Sequence, residues 1–283
     1  MSSAIVTRFA PSPTGLLHSG HAYSALSAFE TARKNDGRFL LRIEDIDFTR
    51  CRREFEVAIL EDLAWLGIEW EIPVRRQSDH LREYVAIAEQ LRGRGLLYPC
   101  FCTRKDIQRE IDAAGAAPHG PEGPLYPGLC RSLSEDERHA RMASGASFAM
   151  RLDLDRAIAA AGADLEWMDL ARGPQKARPE ILGDVVLVRK DIGCSYHLAV
   201  VLDDALQGVT RITRGEDLFE ATHVQRLLQA LLGLPTPEYH HHALICDPDG
   251  KRLAKRDEAE TLRSLRLRGV SVDEVRERLG FRE

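Results

Sequence analysis

The stretch that decides the fold covers residues 8–21 and reads RFAPSPTGLLHSGH. A short β-type run leads into its Pro/Ser/Thr/Gly loop, and a helical pattern follows from about Ser19 to Lys34. A strand, a tight loop and a helix N-terminus in this order direct backbone N–H groups and the positive end of a helix dipole towards one point, which suits phosphate. His18 and His21 share one face of the first turn and can donate hydrogen bonds to phosphoryl oxygens. Gly20 leaves room for a flat ring against the backbone.

Composition places the chain among ordinary globular enzymes. Its 283 residues are 44% hydrophobic and 29% charged, enough for one domain with an insertion or for two domains. The net charge of −5 provides no overall basic field, so an RNA partner would depend on local basic patches. Neither an apolar run of membrane-spanning length nor a signal-peptide core occurs, so we expect a cytoplasmic protein that does not contact membranes.

Strand and helix patterns alternate and predict an α/β fold. Residues 38–43 read as a buried parallel strand, and the acids at 44–47 indicate a site beyond its carboxyl end. Ser78 is expected to cap a helix that runs to about Leu91. Further strands are predicted at 148–153, 165–169, 185–188, 197–202, 209–213 and 242–246, helices at 55–66 and 221–232, and capping boxes at Ser134-x-x-Glu137 and Ser271-x-x-Glu274.

The amino-acid composition changes after Tyr98, where cysteines and a Pro/Gly-rich segment occur. We therefore interpret residues 99–183 as an insertion between two halves of a nucleotide-binding fold. The halves are 1–98 and 184–246, and residues 247–283 form a C-terminal segment with a turn, a basic run and two short helices.

Three of the six cysteines cluster, as Cys100-x-Cys102 and Cys130. Thiols grouped in a loop-rich segment of a chain without a leader favour a metal over disulfides, and zinc is the metal we expect. A disulfide or free thiols remain the alternative. His119 is the chemically conventional fourth ligand.

A lone His-x-Gly-His is compatible with an ordinary capped helix, but the whole of residues 8–21 resembles the nucleotide-binding signature of class I aminoacyl-tRNA synthetases of the glutamyl/glutaminyl group. Residues 252–256 (RLAKR) resemble the second signature of that family, usually Lys-Met/Leu-Ser-Lys. Lys255 holds the position of the main catalytic lysine. Arg252 replaces the first lysine and Ala254 the serine, which bears on the rate of phosphate chemistry more than on its existence.

This resemblance implies a class I Rossmann-type parallel sheet with an inserted zinc-bearing α+β subdomain and a short helical C-terminal segment. It implies catalytic roles for His18, His21 and Lys255, with Mg²⁺ entering alongside ATP. It favours Tyr126 over His119 as the fourth zinc ligand, because related enzymes carry a Cys-x-Cys…Tyr-x-x-x-Cys motif. The implied ATP site comprises Pro11, Ser12, Thr14, Gly15, His18, Gly20, His21, Arg252, Leu253 and Lys255, and the implied glutamate site comprises Arg8, Phe9, Ala10, Pro11, Ser12, Glu44, Tyr196 and Arg214.

The chemistry implied is attack of a glutamate carboxylate on the α-phosphorus of ATP, which gives glutamyl-adenylate and pyrophosphate. Positioning and charge stabilisation dominate such a step, and we expect it without tRNA. Glu44 would hold the substrate ammonium, and Arg8 and Arg214 its two carboxylates, in either assignment.

Residues 257–283 are few beside the anticodon-reading domains that follow the second signature in glutamyl-tRNA synthetases. The chain is therefore similar to the stand-alone members of the group, which esterify glutamate onto the queuosine base at position 34 of tRNA(Asp). That similarity implies a monomer that receives the queuosine-bearing anticodon stem-loop. The alternatives are a truncated synthetase that charges a tRNA 3′ end, and a catalytically silent RNA-binding paralogue.

Overall fold

Strands and helices alternate along most of the chain. The computed structural model describes residues 4–113, 119–120, 123–162, 164–245 and 260–281. The strands are β1 (Val6–Phe9), β2 (Arg38–Ile43), β3 (Glu71–Arg76), β4 (Leu97–Cys100), β5 (His119–Gly120), β6 (Gly123–Pro124), β7 (Ala149–Leu152), β8 (Glu166–Asp169), β9 (Gly173–Lys176), β10 (Val186–Val188), β11 (Arg211–Gly215) and β12 (Glu238–His242). The helices are α1 (Ser19–Arg33), α2 (Arg53–Trp65), α3 (Leu81–Gly93), α4 (Arg104–Ala113), α5 (Glu135–Ala143), α6 (Leu154–Ala161), α7 (Tyr196–Leu206), α8 (Ala221–Leu232), α9 (Leu262–Leu267) and α10 (Val272–Arg278).

Two sheets of mainly parallel strands lie edge to edge. β2 pairs in parallel with β1 and β3, and β12 pairs in parallel with β11 and β8, while β9 lies antiparallel at the outer edge. The backbone N–H of Thr210, just before β11, donates to the carbonyl of Val6 at 2.9 Å, so β1 and β11 are neighbours. The strand order reverses direction between β1 and β11, which is the point where doubly wound sheets bind ligands. The expectation of an α/β parallel sheet is confirmed.

Segment 99–183 contributes to more than one sheet. β7 lies antiparallel between β4 and β10, and β5 and β6 form a short hairpin. The capping box of Ser134 and Glu137 opens α5 as expected. β8 and β9 join the sheet of β11 and β12. The domain boundaries stay a prediction.

Small residues let α1 lie close against the first sheet. Ala22, Ala25 and Ala28 are fully buried in one hydrophobic cluster with β1, β2, α2 and the two C-terminal helices. The backbone N–H of Leu262, which begins α9, donates to the carbonyl of Leu17 at 2.8 Å. Residues after 260 are thereby joined directly to the loop of the first signature.

The strand predicted at residues 197–202 is wrong, because this segment belongs to α7. Leu198, Ala199, Val200 and Val201 are all buried, so the helix is apolar around most of its circumference and shows no period of 3.6 residues. Two adjacent valines added a β-type signal that packing overrides.

The predicted helix cap at Ser78 is also wrong. The Ser78 hydroxyl and backbone N–H both donate to the carboxylate of Asp45, at 2.6 and 2.8 Å, and α3 begins three residues later at Leu81. The edge strand β3 was missed because its burial does not alternate and a proline lies within it.

Two further strands differ from their predicted positions or partners. The strand expected at 242–246 is β12, which ends at His242 instead of beginning there, and Cys246 lies outside the described residues. Three consecutive histidines at its end conceal the strand pattern. The strand expected at 185–188 exists as β10, but it pairs antiparallel with β7 and does not continue the parallel sheet.

Candidate active site

A cavity of about 550 Å³ opens at the carboxyl ends of β1 and β11. All eight residues predicted for glutamate line it, together with every described residue of the predicted ATP site except Gly15. Arg252, Leu253 and Lys255 lie outside the described residues. The cavity is lined by Arg8, Phe9, Ala10, Pro11, Ser12, Thr14, His18, Gly20, His21, Ser24, Glu44, Arg50, Tyr196, Thr213, Arg214, Gly215, Asp217, Leu218, His242, Leu244 and Ile245.

At one end of the cavity, two histidines cap the N-terminus of α1. Nδ1 of His18 accepts from the backbone N–H of Gly20 at 3.1 Å, and Nδ1 of His21 accepts from the backbone N–H of His18 at 3.3 Å. Since Nδ1 accepts in both rings, the neutral imidazoles carry their hydrogen on Nε2. A Cβ at position 20 would lie 3.1 Å from Cε1 of His18, so the ring for which Gly20 leaves room is that of His18. Local hydrogen bonds therefore orient two N–H donors beside a helix N-terminus.

At the other end, Arg214 projects from β11 and is only 5% exposed. Its Nη2 donates to Thr222 Oγ1 at 2.6 Å and to Gln225 Oε1 at 2.9 Å, and its Nη1 donates to Tyr196 Oη at 3.3 Å. Its Nε donates to His241 Nε2 at 3.0 Å. Four side chains from three elements thus hold the guanidinium in one orientation.

All of those partners are neutral. Burial and the nearby Arg214 lower the pKa of His241 to about 3, so its Nδ1–H donates to Asp169 at 2.6 Å while its Nε2 accepts from Arg214. Within the described part of the chain, no carboxylate forms an ion pair with Arg214. A buried cation without an anionic partner is costly, and an anionic ligand would remove that cost.

Arg8 and Glu44 complete the charge pattern. Nε of Arg8 donates to Asp204 at 3.0 Å, and Oε1 of Glu44 accepts from Arg42 at 3.3 Å. Burial raises the pKa of the Glu44 carboxyl, and Arg42 and Arg8 offset part of that rise. Nη1 of Arg8 and Oε2 of Glu44 form no hydrogen bond to another described residue, although both residues line the cavity. The cavity thus offers one carboxyl group, which can bind a cation, together with two guanidinium groups, which can bind anions.

Sequence reasoning missed nine of the lining residues. Ser24 lies one turn after Gly20 and shares a 2.8 Å hydrogen bond with Nε2 of His242, which ends β12. Helical spacing from Gly20 could have identified Ser24, whereas the misplaced strand concealed His242. The missed residues are Ser24, Arg50, Thr213, Gly215, Asp217, Leu218, His242, Leu244 and Ile245.

Away from this cavity, the thiols of Cys100, Cys102 and Cys130 all lie within 4.8 Å of one another. Oη of Tyr126 lies 3.4 Å from Sγ of Cys100 and 3.6 Å from Sγ of Cys102. Zinc–sulfur bonds of about 2.3 Å place tetrahedral ligand atoms about 3.8 Å apart, so this donor set fits zinc. The side chain of His119 lies outside the described residues, and the Tyr126 hydroxyl lies beside two of the three thiols.

Burial also affects the protonation of this cluster. Burial raises the pKa of Cys102 to about 12, although a hydrogen bond from Tyr126 opposes that rise. The thiol is then protonated at neutral pH unless a bound cation displaces its proton. Nζ of Lys190 donates to the carbonyls of Phe101 and Cys102, at 3.1 and 3.2 Å, which ties this cluster to the loop before α7.

The family of the chain follows from sequence comparison. A family model described as tRNA synthetases class I (E and Q), catalytic domain, matches residues 4–277. The chain belongs to this family, and since its members are ligases, the predicted enzyme class is confirmed.

Individual relatives show which members of this family the chain is similar to. A protein named Glutamyl-Q tRNA(Asp) synthetase from Rhodobacter capsulatus is 51% identical over 282 residues, which cover 98% of this chain and all of that protein. Glutamate--tRNA ligase 2 from Nitrosococcus oceani is 40% identical over 94% of this chain and 57% of its own length. The crystal structure of a glutamate tRNA ligase from Elizabethkingia meningosepticum in complex with its amino acid superposes with a TM-score of 0.76 at 31% identity. It matches 90% of this chain, which spans about half the length of that ligase.

Among the described residues, no helix is both long enough and apolar enough to span a lipid bilayer.

Proposed function

We propose that the protein activates L-glutamate with ATP in the absence of tRNA, and transfers the glutamyl group to the queuosine base at position 34 of tRNA(Asp), acting as a monomer. The observation that carries this proposal is the buried guanidinium of Arg214, which has no anionic partner among the described residues and lines one cavity with Glu44, His18 and His21. Glutamate brings two carboxylates and one ammonium, and this arrangement is complementary to those charges.

Selectivity for glutamate over glutamine follows from the charges of the two guanidinium groups. The substrate ammonium binds Oε2 of Glu44, and the carboxylates bind Arg214 and Nη1 of Arg8. Glutamine would present a neutral amide in place of one carboxylate, so one guanidinium would lose its compensating charge and the activation of glutamine would be weaker.

Activation needs no protein nucleophile. The α-carboxylate oxygen of glutamate forms a bond to the α-phosphorus of ATP, and the bond to the leaving pyrophosphate oxygen breaks. The Nε2–H groups of His18 and His21 and the N-terminus of α1 stabilise the charge that gathers on the phosphoryl oxygens. The resemblance assigns Lys255, Arg252 and Leu253 of the second signature to the same nucleotide site, which Pro11, Ser12, Thr14, Gly15 and Gly20 shape. Mg²⁺ bound with ATP would neutralise further phosphate charge.

Zinc is proposed as a structural ion. Cys100, Cys102, Cys130 and Tyr126 would hold one ion per chain, and it would order segment 99–183 against the RNA. We also propose that the chain is divided into domains after residues 98, 183 and 246.

The relative from Rhodobacter capsulatus, aligned over its whole length, supports queuosine as the acceptor. The queuosine cis-diol is chemically similar to the 2′,3′-diol of a terminal ribose, so an anticodon loop can present the same nucleophile with its base extruded.

A short anticodon stem-loop of tRNA(Asp) tests the acceptor. Labelled glutamate should appear on a stem-loop that carries queuosine and a blocked 3′-terminal ribose, and mild alkali should release it. The same stem-loop with guanosine at position 34 should receive none. Label on the 3′-adenosine of tRNA(Glu) would instead identify a truncated synthetase, and absence of both transfer and activation would identify a silent paralogue.

A further inference from the structure

A buried charge network lies behind the cavity. Arg42 on β2 is wholly buried and reaches three carboxylates. Its Nη1 donates to Asp204 at 2.8 Å, its Nη2 donates to Glu44 at 3.3 Å, and its Nε lies 3.7 Å from Asp203. Nη1 also donates to Gln207 at 3.0 Å. One guanidinium therefore joins the end of β2 to the C-terminal half of α7.

Asp204 connects this network to the second cavity-lining arginine. Its Oδ1 accepts from Nε of Arg8 at 3.0 Å and from Nη1 of Arg42 at 2.8 Å, and its Oδ2 accepts from Nη2 of Arg8 at 3.4 Å. Arg42 and the strong attraction of Arg8 outweigh the effect of burial, so the pKa of Asp204 lies below its usual range and the carboxylate is charged. Arg8 and Glu44 are therefore each held by hydrogen bonds to some of their polar atoms. Nη1 of Arg8 and Oε2 of Glu44 form no hydrogen bond to another described residue.

We propose that Arg42 and Asp204 are positioning residues that orient Arg8 and Glu44 and set the charge of Glu44 for capture of the substrate ammonium. This inference rests on the proposed binding of glutamate in this cavity. Neither residue lines the cavity, so neither touches the substrate directly.

The electrostatics of Glu44 give this role a distinctive signature. The groups that face it are Arg42 from the end of β2, Arg8 from β1, and Asp204 and Tyr196 from α7. Burial and Asp204 raise the pKa of Glu44, whereas Arg42 and Arg8 lower it. Removing the charge of Arg42 should therefore raise the pKa of Glu44, and removing the charge of Asp204 should lower it. A packing defect would not produce opposite shifts.

The test measures the KM for glutamate in ATP–pyrophosphate exchange across a range of pH, for Arg42→Met and Asp204→Asn. We expect each substitution to raise this KM by about tenfold, while kcat changes by less than about threefold, because neither residue lines the cavity in which the reaction would take place. The midpoint below which affinity for glutamate falls should move to higher pH in Arg42→Met and to lower pH in Asp204→Asn.

Two further variants control the experiment. Arg42→Lys keeps the charge but cannot span three carboxylates, so it should restore the pH midpoint while only part of the affinity returns. Arg38→Met removes an arginine from the same strand that pairs with Glu71 at 2.6 Å, and it should change neither quantity. Asp204→Asn is nearly isosteric and decides the question if Arg42→Met does not fold.

A wild-type KM and pH profile in folded variants would overturn the inference, and so would shifts of both midpoints in the same direction. A wild-type protein that binds no glutamate in calorimetry would instead overturn the proposed function itself.

Discussion

The two ends of the cavity are assembled over very different distances along the chain. At the phosphate end, His18, Gly20 and His21 fix one another within four residues by two hydrogen bonds to backbone N–H groups. At the amino-acid end, Arg8 depends on Asp204, which lies 196 residues away, and the histidine that holds Arg214 is held by Asp169, 72 residues before it. The turn that carries His18 and His21 is shaped mainly by local hydrogen bonds, whereas the amino-acid end requires β1, β2, α7, β11 and β12 in register. In the proposed function, substrate selectivity therefore depends on contacts between distant elements, and the nucleotide chemistry combines this turn of helix with the second signature.

The largest effect should come from the amino-acid end. Arg214→Gln removes a buried cation that has no anionic partner among the described residues, so we expect kcat/KM for glutamate to fall by about 100-fold or more. Steady-state exchange kinetics measure it. Arg211→Gln is the matched control, because Arg211 lies on the same strand but pairs with Glu238 at 2.7 Å, outside the cavity. Comparable losses in both variants would show that the fall in kcat/KM comes from a disturbance of β11 and not from the lost charge of Arg214.

The phosphate end should respond differently. His18→Asn keeps a good helix cap but removes the Nε2–H donor, so kcat should fall by about 10- to 100-fold with little change in the KM for glutamate. His18→Ala should lose the same activity and also about 1 kcal/mol of stability, since the cap is gone. Thermal unfolding of the two variants separates these effects. Full activity in His18→Asn would leave the ring with a capping role only.

The cysteine cluster lies outside both ends of the cavity. Cys102→Ser should therefore abolish binding of one zinc per chain and loosen segment 99–183, while exchange with glutamate stays within about threefold of wild type. Metal analysis and exchange on the same preparation check this, and Cys51→Ser, at a cysteine apart from the cluster, is the control. Wild-type protein purified without chelators that holds no zinc would contradict the ligand set.

The smallest effect concerns a buried charge remote from the cavity. Burial raises the pKa of Asp62 on α2 to about 6, against which Arg266 at 3.4 Å is only a partial compensation. Because the folded-state pKa exceeds the unfolded value near 4, the contribution of Asp62 to stability is greatest below pH 4 and is lost as pH rises through about 6.

Asp62→Asn should remove this fall and stabilise the protein at pH 8 by about 1 kcal/mol relative to its effect at pH 4. Denaturant unfolding at the two pH values measures the difference. For comparison, Glu61→Gln removes an exposed partner of Arg266 that also contributes to the raised pKa of Asp62, so it should lessen this dependence on pH without removing it. An equal effect of Asp62→Asn at both pH values would contradict the raised pKa.

These distances also explain what the sequence could predict. Residues 8–21 and 38–43 form the expected strand, helix and parallel strand, because their signals are local: a buried β run, a turn-forming loop and a capped helix. The parallel sheet and its ligand edge followed from strand order. Arg42, Asp204 and His241 were not identified, since nothing within a few residues of any of them distinguishes a buried charge partner from a surface one. Asp204 was further concealed by the strand pattern assigned at 197–202, which α7 replaces.

The roles of the site residues stay predictions, and Lys255 and its neighbours lie outside the described residues. What the structure adds is that the eight residues implied for glutamate, which are spread over more than 200 positions of the chain, line one cavity. That proximity depends on β1 and β11 being neighbours in the folded sheet.

The most direct test of the account is ATP–pyrophosphate exchange in purified, folded protein with L-glutamate and no RNA. We predict exchange that depends on glutamate and is weaker with glutamine. Addition of unmodified tRNA should not be required. Absence of exchange with glutamate, or equal exchange with glutamate and glutamine, would contradict the assignment of Arg8, Glu44 and Arg214 as a glutamate site. Exchange that begins only when tRNA is added would contradict activation without tRNA.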